Sequence, residues 1–389
     1  MTFAWQVGSG PRWQGGEPVE GPIDGRDADG YADLRTYASI GDGRTIALVS
    51  RGGSIDWLPL PSVDSPPAFA ALLDAPSGGA IRLAPVEEHT SSRRYVEGGN
   101  VLETTFTTAS GVVRVTDSLN AGQAGRLPWS ELARRIDGVT GHVRLRGEIA
   151  PGTLLGAASP WASETVHGTV LRLDGLTLAP RTLHDAGVDV EERRVVAWFE
   201  TSPGSRHLLG LVATDEEPLP LPDPARIDAG VDRTIAMWQR WTQSCAYDGP
   251  WAAAVSRSAL VLKQLIHAPT GGIAAAATTS LPESRTEPKG WDYRFSWVRD
   301  TAYSLSVLLQ LGVTEEVHGA MTWMLRLLRA ADDVTAVMHH LDGREPGDEV
   351  VEHDVPGWRG AQPVVTGNRA ADQLQLGVYG DVFSIVQMY

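Results

Sequence analysis

The spacing of apolar residues divides the chain into a part with strand periodicity and a part with helical periodicity. From residue 37 to about 212, short apolar or β-branched runs recur at close intervals, with turn residues between them. Residues 45–49 and 55–58 are two such runs, and Gly52-Gly53 between them is typical of a hairpin. Further runs lie at residues 102–107, 112–116, 143–149, 169–173 and 195–199. Many short strands without intervening helices predict an antiparallel β-sandwich.

Beyond an acidic, proline-rich segment at residues 215–224, the apolar residues take a helical period. We expect four segments: a flexible leader over residues 1–36, a sandwich over 37–214, a linker with a linker helix over 215–248, and an incomplete helical domain over 249–389. The predicted helical stripes are Ile227, Val231, Ile235 and Trp238; Val255, Ala259, Leu262 and Ile266; Val298, Ala302, Leu305 and Leu309; Val317, Met321, Met324 and Leu328; and Ala371, Leu374, Val378, Val382, Ile385 and Met388.

One stretch, residues 291–300, combines both periods. Trp291, Tyr293, Phe295 and Trp297 alternate with Asp292, Arg294 and Ser296, so an extended backbone would place the four aromatic rings on one face. The helical stripe that begins at Val298 then places Arg299 and Asp300 in a first turn. Aromatic faces beside a guanidinium and a carboxylate suit a sugar ring. The alternative is a buried aromatic strand with one ion pair.

The composition and net charge of the chain argue against some classes of binding partner. The chain has 389 residues, a formal net charge of -15 and a pI near 5.1, which argues against nucleic acid and anionic membrane surfaces. It has no basic, apolar start typical of a signal peptide and no run of about 18 apolar residues, so we expect a cytoplasmic protein. Its one cysteine, Cys245, excludes an internal disulfide framework and is interpreted as a small buried apolar residue.

Several kinds of catalytic motif are missing, and no cofactor is predicted. There is neither a serine-hydrolase elbow nor a phosphate-binding glycine loop. His339, His340 and His353 leave a metal site open, but they lack helical spacing and cysteines, so we interpret them as solvated loop residues. Cleavage of a glycosidic bond needs two carboxylates, and the sequence pairs none of its candidates. These are Asp292, Asp300, Glu345, Glu349, Glu352, Asp354 and Asp372, and the stretch 345–354 is most simply a solvated acidic loop.

Several motifs, in order along the chain, resemble glycoside hydrolase family 15, the glucoamylases, glucodextranases and bacterial trehalases. They are Ile40-Gly41-Asp42-Gly43-Arg44-Thr45, Gly53-Ser54-Ile55-Asp56-Trp57, Asp64-Ser65-Pro66, Ala268-Pro269-Thr270-Gly271-Gly272-Ile273, Thr278-Thr279-Ser280-Leu281-Pro282-Glu283, Trp291-Asp292-Tyr293-Arg294, Trp297-x-Arg299-Asp300 and Gly367-Asn368. The ordered agreement from about residue 37 onward is specific, whereas any single motif would be weak.

The resemblance implies a β-sandwich followed by the first part of an (α/α)6 barrel. It implies cleavage of α-glucosidic bonds from the non-reducing end with inversion, with trehalose, a maltooligosaccharide or an isomaltooligosaccharide as substrate. In the family, the residues matched by Arg299 and Asp300 grip the terminal glucose, and the aromatic matched by Trp297 lies against it. Adjacent helix residues do not face each other, so we expect Arg299 and Asp300 to reach outward rather than to pair. Trp291, Tyr293, Trp358 and Gln362 complete the expected substrate-binding set.

The chain also departs from the family. The family's general acid and general base have no counterpart before Tyr389, and only about four helices are expected after Gly249, so we expect a fragment without turnover of its own. Gly377 stands where an Asp is usual, and Gln362 precedes Pro363 where an Arg is common. The alternative function is a non-catalytic carbohydrate-binding or assembly module in which the sandwich is the working part.

Overall fold

The computed structural model describes residues 25–389 apart from 122–126, 128, 184–185, 216–218, 220, 285–288, 331–335 and 348. Most of the predicted leader and part of the predicted linker therefore lie outside the described residues. Within the described range, a large antiparallel β region precedes a helical region, which confirms the order of the two parts expected from the sequence.

Two antiparallel sheets form the β region. The strands of the first sheet are β1 (Ala38–Gly41), β2 (Ile46–Val49), β3 (Ser54–Pro59), β4 (Pro67–Phe69), β5 (Gly79–Pro85), β10 (Val143–Pro151), β14 (Gly187–Glu191) and β15 (Arg194–Thr201). They follow the order β1-β2-β3-β5-β10-β15-β14, and β4 pairs with β3. The strands of the second sheet are β6 (His89–Tyr95), β7 (Leu102–Thr108), β8 (Gly111–Leu119), β9 (Ser130–Gly141), β11 (Trp161–Thr165), β12 (Gly168–Leu173), β13 (Leu176–Leu183) and β16 (Arg206–Thr214). Their order is β11-β12-β13-β16-β9-β8-β7-β6.

One apolar core, with residues from both sheets, lies between these layers. Phe106 and Phe199, from opposite sheets, are fully buried in it. The predicted hairpin is confirmed, because β2 and β3 pair with Leu48 opposite Trp57. Its turn requires glycine, since Gly53 has φ +81° and a Cβ there would lie 2.6 Å from the Leu83 carbonyl oxygen.

The two sheets are also joined by hydrogen bonds from the guanidinium of a fully buried ion pair within the second sheet. Arg134 on β9 donates from Nε to Asp117 Oδ1 on β8 at 2.7 Å, and neither side chain is exposed. Its other nitrogens donate across the core to the Ile81 carbonyl at 2.9 Å and the Gly53 carbonyl at 2.7 Å. The guanidinium thus satisfies acceptors from both layers of the sandwich.

Residues 26–36, assigned by composition to the leader, pack on the first sheet. Arg26 pairs with Asp56 at 2.7 Å, while Tyr31 and Ala32 are buried. A short 3₁₀ helix at Leu34–Thr36 leads into β1. The polar composition of this segment gave no sign of this packing.

The helical region begins with α1 (Pro224–Ser244), which lies against the second sheet. Its predicted stripe is confirmed for Ile227, Val231 and Trp238, which are buried. Arg135 of β9 also ties the helix to this sheet, with Nε 2.7 Å from Asp228 Oδ1 and Nη2 2.8 Å from Asp232 Oδ2. Helix α1 is therefore packed on the sandwich, although in sequence it precedes the other helices.

Four α-helices follow residue 249 in the described part of the chain: α2 (Ala252–Leu265), α3 (Val298–Gln310), α4 (Glu315–Ala330) and α5 (Gly377–Met388). Short strands lie among them: β17 (Thr279–Pro282), β18 (Gly290–Asp292), β19 (Ser296–Trp297), β20 (Met338–His339), β21 (Val351–His353) and β22 (Val364–Thr366). Two further 3₁₀ helices span Trp358–Gly360 and Arg369–Asp372. Helix α3 contacts both α4 and α5.

The outer faces of α3 and α5 are apolar. Tyr303 on α3 and Phe383 on α5 are 67% and 73% exposed, and of the predicted last stripe only Val378 and Ile385 are buried. Leu374 and Met388, expected in the same stripe, are exposed. None of the described helices combines the length and apolar character that crossing a bilayer requires.

Replacing Arg134 with alanine would leave Asp117 buried without its counter-charge. We expect the free energy of unfolding to fall by about 3–5 kcal/mol, because an unpaired buried charge is strongly destabilising. Urea denaturation monitored by circular dichroism measures this. Arg94→Ala is the control, because Arg94 pairs with Glu103 in the same sheet but its side chain is 75% exposed, and it should cost about 0–1 kcal/mol. Equal losses in the two variants would contradict the assigned role of Arg134.

Candidate functional site

The candidate site is a strand-to-helix corner at residues 290–300, where β18 and β19 lead into α3. The predicted alternation holds at its start, because Trp291 and Tyr293 are partly exposed while Asp292 and Arg294 are buried. The prediction that all four aromatic rings share one face is wrong, because Phe295 and Trp297 are both buried. The chain leaves strand geometry after Asp292 and re-enters it only at Ser296, so the period-two pattern is interrupted.

A buried ion pair holds the inner side of the corner. Arg294 Nε and Nη2 donate to the two carboxylate oxygens of Asp292 at 2.9 and 2.8 Å. Gly367 N donates to the same carboxylate at 3.2 Å, and Asn368 Nδ2 donates to the Asp292 carbonyl at 3.0 Å. Burial alone would lower the pKa of Arg294, but the charge and hydrogen bonds of Asp292 raise it. Asp292 was a candidate catalytic carboxylate in the sequence. In the structure its carboxylate is occupied by hydrogen bonds from Arg294 and Gly367.

The sandwich supports the corner through the loop at residues 62–66, between β3 and β4. Arg294 Nη1 donates to the Ser65 carbonyl at 2.6 Å. Asp64 Oδ2 lies 3.3 Å from His340 Nδ1 and accepts from Leu341 N at 3.2 Å, and its other oxygen accepts from Ser62 Oγ at 2.8 Å. Burial would raise the pKa of Asp64, but these hydrogen bonds outweigh it and lower the pKa to about 2. The loop therefore couples the two halves of the chain directly behind the corner.

Arg299 and Asp300 lie on the outer side of the corner, in the first turn of α3. Their side chains are 53% and 41% exposed, and Arg299 Nη2 is 3.7 Å from Asp300 Oδ2. The expectation that they would not pair is wrong in this respect: the first-turn geometry brings the charges within ion-pair range, although the distance is too long for a hydrogen bond. The Arg299 guanidinium also lies 5.9 Å from the centre of the Trp297 ring. Both charges keep hydrogen-bonding capacity toward solvent.

Two aromatic side chains lie beside these charges, the partly exposed Tyr293 and the buried Trp297. The rings of Tyr293 and Trp297 are 6.3 Å apart and tilted by 50°. Trp297 Nε1 is buried and has no hydrogen-bond partner among the described residues. Trp291, two residues before Tyr293, is 40% exposed. Tyr293, Trp297, Arg299 and Asp300 thus form one surface, which we call the corner surface.

Sequence reasoning missed Glu283 as a site residue. Tyr293 Oη donates to Glu283 Oε1 at 2.7 Å. Burial of Tyr293, the hydrogen bond to Glu283 and the charges of Glu283 and Asp300 raise the pKa of the phenol to about 12. The only available signal was the position of Glu283 at the end of the motif Thr278 to Glu283, since nothing local shows that it meets a residue ten positions later.

Trp358 and Gln362, expected to bind substrate, are placed elsewhere. Trp358 is buried in an apolar cluster with Tyr31 and Trp57, and its Nε1 donates to the Ala32 carbonyl at 3.0 Å. Gln362 is exposed and donates to the Val355 carbonyl at 2.8 Å. These contacts support loops and the docked segment 26–36 rather than the corner surface.

The three candidate metal ligands have separate environments. His339 is buried, both its ring nitrogens lack partners among the described residues, and burial lowers its pKa. Interpreting it as a solvated loop histidine was therefore wrong. His340 faces Asp64, and His353 Nε2 lies 3.0 Å from Thr366 Oγ1. No group of three residues able to hold a metal ion occurs within the described part of the chain.

The acidic loop behaves as predicted. Glu345, Glu349, Glu352 and Asp354 are all exposed, although Val351–His353 forms a short strand paired with β22. Two clefts of about 670 and 660 Å³ lie elsewhere, one lined by α1, α2 and the β6–β7 turn and the other by α1, α4 and the loop after α2. Neither cleft is lined by residues of the corner surface.

Both parts of the chain match known protein families. Residues 249–389 match the glycosyl hydrolases family 15, and residues 26–193 match the trehalase-like N-terminal domain. The match over residues 249–389 confirms the resemblance seen in the motifs.

Relatives named trehalase match most of the chain. That of Thermoplasma volcanium is 29% identical over 365 residues, which are 91% of this chain and 56% of the relative. That of Thermoplasma acidophilum is 30% identical over 349 residues, covering 86% and 57%, and that of Mycobacterium tuberculosis is 30% identical over 386 residues, covering 90% and 55%. The chain thus spans little more than half the length of these relatives.

Among solved structures, a putative kojibiose phosphorylase from human microbiome aligns with a TM-score of 0.47 and 12% identity, covering 79% of this chain and 49% of that chain. This likeness is too distant to support an argument.

The Asp64 carboxylate makes the free energy of unfolding depend on pH in the acid range. Its pKa in the folded chain is about 2, below its ordinary value of 3.8, so its contribution is complete above pH 4 and is lost as the pH falls toward 2. We expect Asp64→Asn to lower the free energy of unfolding at pH 6 and the difference from the parent to shrink between pH 4 and 2. Denaturant melts at a series of pH values measure this. Asp354→Asn, at an exposed carboxylate, is the control, and a difference independent of pH would contradict the interpretation.

Proposed function

We propose that this chain belongs to an α-glucoside hydrolase of trehalase type and supplies its grip on the terminal glucose. The observation that carries the proposal is the corner surface, in which a half-exposed guanidinium and carboxylate lie beside two aromatic rings. Supporting it are the family match over residues 249–389 and the relatives named trehalase. The substrate is an α-glucoside, with trehalose first and malto- or isomaltooligosaccharides as alternatives.

Each residue of the corner surface has a distinct role in this proposal. Asp300 accepts hydrogen bonds from sugar hydroxyls and Arg299 donates to sugar oxygens, both as charge-assisted bonds that are stronger than neutral ones. The rings of Trp297 and Tyr293 contact the CH faces of the sugar. Trp291 extends the aromatic surface.

Cleavage with inversion requires a general acid to protonate the leaving oxygen and a general base to activate water on the opposite face. Within the corner, Asp292 is committed to Arg294 and Asp300 to the grip, so neither fills these roles. Because the chain spans little more than half of its relatives' length, we place both catalytic carboxylates in the part of that length that it does not span.

The same proposal assigns α2–α5 to the first part of an (α/α)6 barrel. The exposed Tyr303 and Phe383 support it, because helices that continue a barrel would cover apolar side chains at these positions. Barrel closure would also place further groups opposite Arg299 and Asp300 and enclose the glucose.

We expect Arg299→Ala and Asp300→Ala each to weaken trehalose binding at least about tenfold, since a hydrogen bond to a charged group contributes about 1.5–3 kcal/mol. Isothermal titration calorimetry with trehalose, maltose and isomaltose measures the affinity and the preferred linkage. Arg329→Ala is the matched control, at an exposed arginine in the last turn of α4. Unchanged affinity in both corner variants would contradict the proposed grip.

We further expect this 389-residue chain to release no glucose from trehalose, maltose or isomaltose, because the proposed acid and base are not among its residues. A coupled glucose assay at high enzyme concentration measures turnover. Glucose release by the purified chain, abolished in Asp300→Ala, would place the catalytic carboxylates within these residues instead.

A further inference from the structure

We propose that Glu283 is a positioning residue, which holds the Tyr293 phenol so that its oxygen can only accept a hydrogen bond from the bound sugar. This inference rests on the proposed function, because it concerns the corner surface. It adds a residue that is not itself part of that surface and that acts through Tyr293.

Both partners of this hydrogen bond are held by the backbone. Strands β17 and β18 form a hairpin in which Thr279 pairs with Asp292 and Pro282 with Gly290, and Glu283 follows directly after β17. Glu283 N donates to the Lys289 carbonyl at 3.3 Å, which extends the hairpin by one further bond. The Tyr293 carbonyl accepts from Ala276 N at 2.9 Å, and its neighbours Asp292 and Arg294 are the buried pair. The 2.7 Å bond therefore joins two anchored residues rather than two free side chains.

The chemistry of a phenol gives this bond a direction. Tyrosine has one hydroxyl proton, and a carboxylate can only accept, so the proton of Tyr293 is committed to Glu283. The lone pairs of the phenol oxygen remain, and they can take a hydrogen bond only from a donor such as a sugar hydroxyl. Without Glu283 the hydroxyl would rotate and could donate as readily as accept. The raised pKa of Tyr293, about 12, agrees with a phenol that stays protonated beside this carboxylate.

The bond also fixes the ring. Tyr293 is 36% exposed, and its ring is 6.3 Å from that of Trp297, so the phenol face forms one wall of the corner surface. A ring tied at its hydroxyl end keeps that angle when sugar is absent. Pre-organised contacts of this kind cost less entropy when a ligand binds.

A double-mutant cycle tests the inference. The affinity for trehalose is measured by isothermal titration calorimetry for the parent, Tyr293→Phe, Glu283→Ala and the double variant. We expect each single variant to bind about 2–10-fold more weakly, the range for one neutral hydrogen bond, and the double variant to bind no more weakly than the weaker single variant. Equal weakening by Glu283→Ala with and without the Tyr293 hydroxyl would overturn the inference.

A second measurement does not depend on sugar. Ultraviolet titration to about pH 11 follows phenol ionisation, which begins near the ordinary tyrosine pKa of about 10, and subtracting the curve of Tyr293→Phe isolates Tyr293 from the other tyrosines. We expect Glu283→Gln, which removes the negative charge, to make Tyr293 ionise at lower pH than in the parent. Glu352→Gln, at an exposed glutamate on β21, should change nothing. An unchanged titration in Glu283→Gln would overturn the inference even if sugar binds.

The outcomes separate this inference from the proposed function. If the parent binds none of the α-glucosides, the proposed function fails and the assigned role of Glu283 fails with it. If the parent binds and Arg299→Ala does not, but the cycle is additive, only the role of Glu283 is overturned.

Discussion

The ion pair between Asp292 and Arg294 is the interaction on which the candidate site depends. Both side chains are buried, and burying charge is costly unless each charge is paired and hydrogen-bonded. The chain meets that condition by bringing Ser65, Gly367 and Asn368 to the same place, from distant parts of the sequence. Trp297, Arg299 and Asp300 follow within a few residues. The buried ion pair therefore fixes their positions, although none of the three takes part in it. Precise placement of exposed charged groups is otherwise difficult, because long polar side chains lose entropy when they are held.

The corner therefore has an inner side that supports and an outer side that can bind. Charged residues occupy both, and the difference between them is whether their hydrogen-bonding capacity is consumed. Asp292 receives donors from a side chain and from two backbone positions, whereas Asp300 has one ion-pair neighbour at 3.7 Å. Identical residue types thus take opposite roles within a short stretch of chain, which follows from burial and partners rather than from the residue itself.

Local patterns predicted the parts of this architecture that local physics determines. The hairpin at Gly53 and most of the stripe of α3 each follow from side-chain direction along one element, and the structure has them where the sequence placed them. Other failures concern partners that lie outside the element whose pattern was read. Trp358 contacts the segment around Ala32, His339 is buried against Trp323, and Glu283 meets Tyr293 across a hairpin. A pattern shows which face of an element is apolar, but it does not show what lies against that face.

The loop at residues 62–66 gives the sandwich a consequence for protein engineering. Its Ser65 carbonyl and Asp64 carboxylate complete the hydrogen bonding of groups in the other half of the chain. A chimaera that joined the sandwich of one trehalase-like protein to the helices of another would have to transplant this loop together with the Arg294 corner, or leave a buried guanidinium short of an acceptor. These contacts join residues that are far apart in the sequence. A graft made by a single cut in the chain would therefore separate them.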